Sequence, residues 1–269
     1  MTQGLQGQVA IVTGAGRGFG KAIAQRFASE GAAVTVTSRT QRELNEVVAE
    51  IEAAGGQALA VPADVTNRED AARVVAMTQK RFGPITLLVN NAGVPGPFGP
   101  VWIIDPDEWW RAQEVHILAP LLFIRAVLPG MVQRRAGRII TVSAMGSHRV
   151  DVNMSAYCVG KAAQNRLTQL VAAETKEFGI SAFAIDPGFV ATRLAEDTMA
   201  DPAAQRWRSE MIERIRERQA DPDSLRDLDR CAQRCVDLAS GRYDALSGLY
   251  TELHNDLDAM LHQRKSASA

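Results

Sequence analysis

Thr13-Gly14-Ala15-Gly16-Arg17-Gly18-Phe19-Gly20 is the stretch on which the fold turns. A short apolar run at residues 9–13 leads into it, and residues 21–29 lead out with helical periodicity. Glycines take backbone conformations closed to other residues and let the main chain approach a phosphate closely. The helix that follows offers unpaired N–H groups and the positive end of its dipole. Strand, glycine turn and helix in that order, at the start of a βαβ unit, predict a pyrophosphate cradle.

Outward from that turn, strand and helix patterns alternate. Strand-like apolar runs fall at residues 34–37, 59–61, 87–89, 139–142, 181–185 and 248–253. Helical periodicity covers 43–53, 70–82, 107–133 and 155–178, with Gly55-Gly56 and Gly83-Pro84 closing the first two. Apolar strands alternating with helices predict a parallel sheet covered on both faces. The expected fold is α/β, a Rossmann-type doubly wound parallel sheet in one domain over residues 1–269. Its ligands would sit beyond the carboxyl ends of the strands. Residues 193–229 are rich in charge, and Asp201-Pro202 and Asp221-Pro222 read as helix starts. An insert over residues 189–229 is expected to form a helical substrate lid, and the polar tail at 262–269 to fray.

Lys+Arg 30 against Asp+Glu 31 give a formal net charge of −1. Such a balance offers no long-range attraction for nucleic acid or an acidic membrane face. Polar opening residues run straight into a strand, so no signal peptide is expected, and no apolar run approaches the roughly 20 residues of a membrane span. The expected compartment is the cytoplasm. Cys158, Cys231 and Cys235 are too few for a disulfide framework. Packing is the expected role of Cys231 and Cys235, and no metal site is expected.

The spacing Gly14-x-x-x-Gly18-x-Gly20 resembles that of the short-chain dehydrogenase/reductase family. Asn90-Asn91-Ala92-Gly93, Tyr157-x-x-x-Lys161 and Pro187-Gly188 with Thr192 agree with it, over residues 8–253. The resemblance implies a nicotinamide dinucleotide held by Gly14, Gly16, Arg17, Gly18, Phe19 and Gly20. It implies further contacts from Asp64 and Val65 near adenine, and from Asn91, Ala92, Gly93, Tyr157, Lys161, Pro187, Gly188, Val190 and Thr192. At the end of the second strand, an acidic residue would bind ribose hydroxyls and repel a 2′-phosphate. Ser38-Arg39-Thr40 carries no carboxylate, and Arg17 lies in the turn. Two guanidinium groups and a hydroxyl suit a phosphate, so NADP(H) is expected over NAD(H).

Tyr157 and Lys161, four residues apart, share a helix face. A free tyrosine, with a pKa near 10, is a poor acid–base catalyst at neutral pH, and a neighbouring ammonium is expected to lower it. By resemblance, Tyr157 exchanges the proton of the substrate oxygen and Lys161 also binds the nicotinamide ribose. The family's catalytic serine and asparagine are replaced: Ala144 and His116 stand at their positions. Ser143 or Ser147 can restore the lost hydroxyl, or nothing does. His116 can hold a water linking the lysine to solvent and titrate near neutrality, or be a packed helix histidine.

Pro95, Pro97, Phe98, Trp102, Met145, Val152, Met154, Phe189 and Met199 are expected to line the substrate pocket, favouring a hydrophobic or cyclic alcohol or ketone. The expected activity is an NADP(H)-dependent alcohol/carbonyl oxidoreductase. The alternatives are imine or C=C reduction, a non-redox cyclisation or epimerisation, and a catalytically degenerate nucleotide-binding protein. A small-molecule substrate is the expected partner. The resemblance also implies a homodimer or homotetramer, built through helices 107–133 and 155–178.

Overall fold

The computed structural model describes residues 4–266. Its first half runs β1 (Val9–Thr13), α1 (Gly18–Ser29), β2 (Ala33–Thr37), α2 (Gln41–Ala53), β3 (Gln57–Ala60), α3 (Arg68–Phe82) and β4 (Leu87–Asn90). The second continues with α4 (Pro106–Gln113), a π-type turn (Glu114–Leu118), α5 (Ala119–Arg134), β5 (Gly137–Val142), α6 (Ser155–Thr175) and β6 (Ile180–Ile185). Four helices follow, α7 (Arg193–Ala200), α8 (Pro202–Trp207), α9 (Ser209–Ala220) and α10 (Arg226–Ala239), and then β7 (Tyr250–Thr251) and α11 (Leu257–Ser266).

All strands pair in parallel, in the order β3-β2-β1-β4-β5-β6-β7. This is the doubly wound sheet expected. Side chains of a strand alternate between faces, and β1 shows the result. Ala10 and Val12 pack with Phe27, Leu44 and Cys235 on one side, while Val9 and Ile11 pack with Val74, Phe123 and Met131 on the other. Both faces are therefore covered, and Cys231 and Cys235 are buried packing residues. Strand order reverses between β1 and β4, which opens a crevice at the carboxyl edge, where ligands of such sheets bind.

Several local expectations are corrected. Residues 106–134 bend through the π-type turn instead of forming one regular helix. Pro120 has no N–H to give the His116 carbonyl, and the helix widens by one residue there. This run is long and apolar enough, by length and composition alone, to cross a membrane, which the sequence reading excluded. Its Phe123, Val127 and Met131 are buried against the sheet. The last strand is only Tyr250–Thr251, and the tail is helical through Ser266; residues 267–269 lie outside the described residues. Asp201 caps α8 as expected, but Asp221 accepts the N–H of Asp223 in a turn ahead of α10 and does not start that helix.

Candidate active site

The glycine turn is held by side chains from the neighbouring strand end. Thr13 Oγ1 accepts the N–H groups of Asn91 (3.0 Å) and Ala92 (3.2 Å). Asn91 Nδ2 in turn donates to the carbonyls of Thr13 (2.9 Å) and Gly14 (3.2 Å). Asn91, expected to bind cofactor, thus spends its amide donors on the turn itself. A Cβ at Gly20 would fall 2.5 Å from both Asn91 Nδ2 and the Gly14 oxygen, so only glycine lets α1 start this close to β1. Gly14 itself has φ +64°, a left-handed backbone suited to glycine.

Like α2, α6 and α7, α1 has no side-chain cap. Its first N–H groups are left for an anion. Gly18 meets Thr192, which brings the turn against the segment after β6. Phe19 packs into the core beneath, while Ala92 and Gly93 are half-buried. At the adenine end, Asp64 is exposed and accepts Thr66 N and Oγ1, and Val65 packs against the core.

Beyond the turn, Ser38 Oγ is buried and has no hydrogen-bond partner among the described residues. That orphaned hydroxyl, beside a cradle that only glycine leaves open, fits a ribose-phosphate. Arg39 is exposed, and Arg17 pairs with Glu43 at 3.3 Å. Ser38-Arg39-Thr40 carries no carboxylate of its own, but Glu43, from the first turn of α2, brings one beside Ser38. Its Oε2 and Ser38 Oγ lie 2.9 and 3.0 Å from where a Gly16 Cβ would stand.

At the other end of the crevice, α6 presents Tyr157 and Lys161 together. Lys161 Nζ lies 5.7 Å from the Tyr157 ring centroid and donates to the Val142 carbonyl at 2.8 Å. The ring of His116, carried on the π-type turn, meets that of Tyr157 edge to face at 5.6 Å. His116 Nε2 sits 2.9 Å from the Val94 carbonyl, so it carries the proton, and Nδ1 is a buried acceptor with no partner among the described residues. Burial and the neighbouring Lys161 charge pull His116 down to about 3, which favours a neutral imidazole over the alternative of one that titrates near neutrality.

Ala144 leaves no hydroxyl where the resemblance requires one. Ser143 is buried below, with Oγ on the Lys161 carbonyl at 3.4 Å. Ser147 Oγ closes its own turn onto Ala144 O (2.6 Å) and accepts Asn165 Nδ2 (2.8 Å). Of the expected pocket lining, Phe98 and Met154 cluster with Tyr157, Met199 and the insert residues Ala204 and Ile212. Trp102 and Val152, 81% and 66% exposed, stand in solvent instead.

Burial also governs the Tyr157–Lys161 pair. It pushes the Tyr157 phenol well above its usual range, with the Asp186 carboxylate adding to the effect, so the expected lowering by Lys161 is outweighed. Lys161 is drawn down to about 8 by burial, against the pull of Asp186. Asp186 accepts the N–H groups of Met145 and Gly188 and so ties the loops after β5 and β6 together. Its own carboxyl is raised to about 6, mainly by burial. Because its charge favours the protonated lysine, Asp186→Asn should move the Lys161 titration to lower pH. Activity of that variant should fall off earlier on the alkaline side, and an unchanged alkaline limb in a kcat–pH profile would refute the coupling. Pro187 and Val190 are buried after it, and Gly188 lies under Asp227 of α10.

The fold agrees with what comparison with known proteins finds. Residues 8–203 match the family model for short chain dehydrogenase. A short chain dehydrogenase of Pseudocercospora fijiensis is 34% identical over 264 residues, covering 96% of this chain and 84% of that protein. Among solved structures, a 7α-hydroxysteroid dehydrogenase complexed with NADH and 7-oxo glycochenodeoxycholic acid superposes with a TM-score of 0.81 at 29% identity, covering 93% of this chain and 94% of that one. A metagenomic short-chain oxidoreductase in complex with NADP gives 0.66 at 37% identity, covering 70% and 85%. The chain belongs to the short-chain dehydrogenase/reductase family. It is an oxidoreductase of that family, with a nucleotide-binding fold for a nicotinamide dinucleotide.

Proposed function

We propose that the protein is an NADP(H)-dependent alcohol/carbonyl oxidoreductase for a hydrophobic or cyclic substrate. The observation that carries this reading is Tyr157, set beside Lys161 at the carboxyl edge of the sheet. Bound NADPH supplies the hydride. Tyr157, which keeps its proton at neutral pH, donates it to the carbonyl oxygen. Lys161 stabilises the phenolate left behind and has N–H groups beyond its bond to Val142 for the nicotinamide ribose. His116 offers the free Nδ1 lone pair to a water that resupplies the proton through Lys161.

Ser38, Arg17 and Arg39 are the groups suited to the 2′-phosphate. The apolar cluster around Tyr157 supports an apolar substrate, with α7–α9 as the lid of a single domain. Exposed Trp110, Leu121, Val159 and Leu170 on α4, α5 and α6 support pairing with a second copy, and the family fold is consistent with a cytoplasmic enzyme.

NADPH and NADH oxidation over a panel of cyclic and long-chain ketones, imines and activated alkenes tests the reading. Turnover of apolar ketones with NADPH is expected; tight NADPH binding with no carbonyl turned over would overturn it. The bonds of Ser143 to the Lys161 carbonyl and of Ser147 to the Ala144 carbonyl support a site in which neither hydroxyl replaces the one missing at Ala144. One such donor is worth about 10²–10³ in rate, so Ala144→Ser should raise ketone turnover at least tenfold (a conservative fraction of that effect). The same missing hydroxyl favours a second reading, imine or C=C reduction. If those substrates alone turn over, and Ala144→Ser leaves their rates unchanged, the second reading replaces the first.

A further inference from the structure

Arg17 and Arg39 would make a strong site for a 2′-phosphate if both were free, but Arg17 is not. Its Nη1 lies 3.3 Å from Glu43 Oε1, an ion pair between a half-exposed guanidinium and a carboxylate whose side chain is 22% exposed. The other oxygen of that carboxylate faces inward, to the space beside Gly16 that Ser38 Oγ also borders. Glu43 is therefore no ordinary solvated residue of a helix's first turn. Its charge stands between the glycine cradle and the end of β2, where the adenosine ribose of a dinucleotide must lie.

From this placement we infer that Glu43 is a specificity-determining residue, which weakens binding of the phosphorylated cofactor and lets the unphosphorylated one compete. The inference rests on the reading of a nicotinamide dinucleotide in this cradle. A 2′-phosphate brings about −1.5 to −2 charges at neutral pH. To reach Arg17 it must take the guanidinium from Glu43 and leave the carboxylate near a second anion, which opposes the gain of the new pair. Ribose hydroxyls meet no such opposition, because a carboxylate accepts hydrogen bonds from O–H donors. Arg39 is exposed and carries the attraction for phosphate that Arg17 does not. Arg193, at the start of α7, lies in the field of Glu43 but is held by Asp197 at 2.8 Å.

The test is the ratio of NADH to NADPH dissociation constants, measured by fluorescence titration of the full chain at fixed salt. Glu43→Gln keeps the size and one acceptor oxygen while removing the charge. Relief of one like charge at this range is worth about tenfold, so the ratio should move about tenfold toward NADPH, mainly through tighter NADPH binding. A second variant, Arg17→Ala with Glu43→Gln, should show a smaller gain than Glu43→Gln alone, since the guanidinium released is then missing. A ratio that moves less than threefold, or toward NADH, overturns the inference whichever cofactor the unmodified protein prefers. A preference of the unmodified protein for NADH would instead overturn the NADP(H) reading and leave the role of Glu43 to be judged by the shift alone. Melting temperatures within experimental error of the parent confirm that the variants are folded.

Discussion

Tyr157→Phe should lower turnover by about 10²–10⁴, the range spanned by a positioned acid–base group, while NADPH binding stays within a few-fold of the parent. The reasoning is local. The ring packs in an apolar cluster with Met154 and Cys158 and meets His116 edge to face, contacts that phenylalanine keeps. Among the described residues the Tyr157 hydroxyl makes no hydrogen bond within the fold, so its loss should leave stability little changed and remove only the proton donor. Single-turnover oxidation of bound NADPH separates the two effects: the chemical step should slow while the dissociation constant holds. A variant with near-normal turnover would remove Tyr157 from its assigned role.

The second large effect is expected at Gly160, between Tyr157 and Lys161 on α6. A Cβ there would lie 2.7 Å from His116 Cβ and 2.8 Å from its Cγ. Alanine is favoured over glycine by about 1 kcal/mol in a helix interior, but the clash outweighs that preference. His116 cannot swing aside, because its Nε2 is tied to Val94 and its backbone to the π-type turn. Overpacking of this kind costs typically 1–3 kcal/mol. Any shift of α6 also displaces Tyr157 and Lys161, and a misplacement of about 1 Å can cost 10²-fold in rate. Gly160→Ala should therefore lower both denaturant midpoint and turnover. His116→Ala in the same chain should recover much of the lost stability, a coupling that a double-mutant cycle measures. An unchanged midpoint in Gly160→Ala would refute the contact.

The parts of the site that sequence made legible are those encoded locally. The glycine turn, the strand before it and the helix after it share one continuous stretch, and Tyr157 and Lys161 follow from one helical spacing. Glu43 was invisible because its partner Arg17 lies 26 positions away, and because first-turn acids of helices ordinarily face solvent. Asp186 was hidden for a similar reason: Met145, one of the two N–H donors it holds, is 41 positions upstream. Neither relation leaves a mark in local composition. The widening at Glu114–Leu118 escaped because a one-residue slip hardly disturbs the apolar pattern of a long run, although Pro120 was a signal of it. The last strand was overextended because the apolar and β-branched pattern of residues 248–253 does not mark where pairing with β6 stops at Thr251.

That slip also fixes a phase. A residue added to a helix turns everything after it by about 100°, so the Pro106–Arg134 run has two angular settings, one on each side of His116. Trp110 projects outward on the first, while Phe123, Val127 and Met131 point into the core on the second. Removing one residue between Glu114 and Leu118 would restore a single phase over the whole run. With α5 held by its buried face, α4 would then rotate by that angle and carry Trp110 to a different azimuth. The loop before α4 would have to be re-cut to match, so the two ends of this helix cannot exchange insertions or deletions independently.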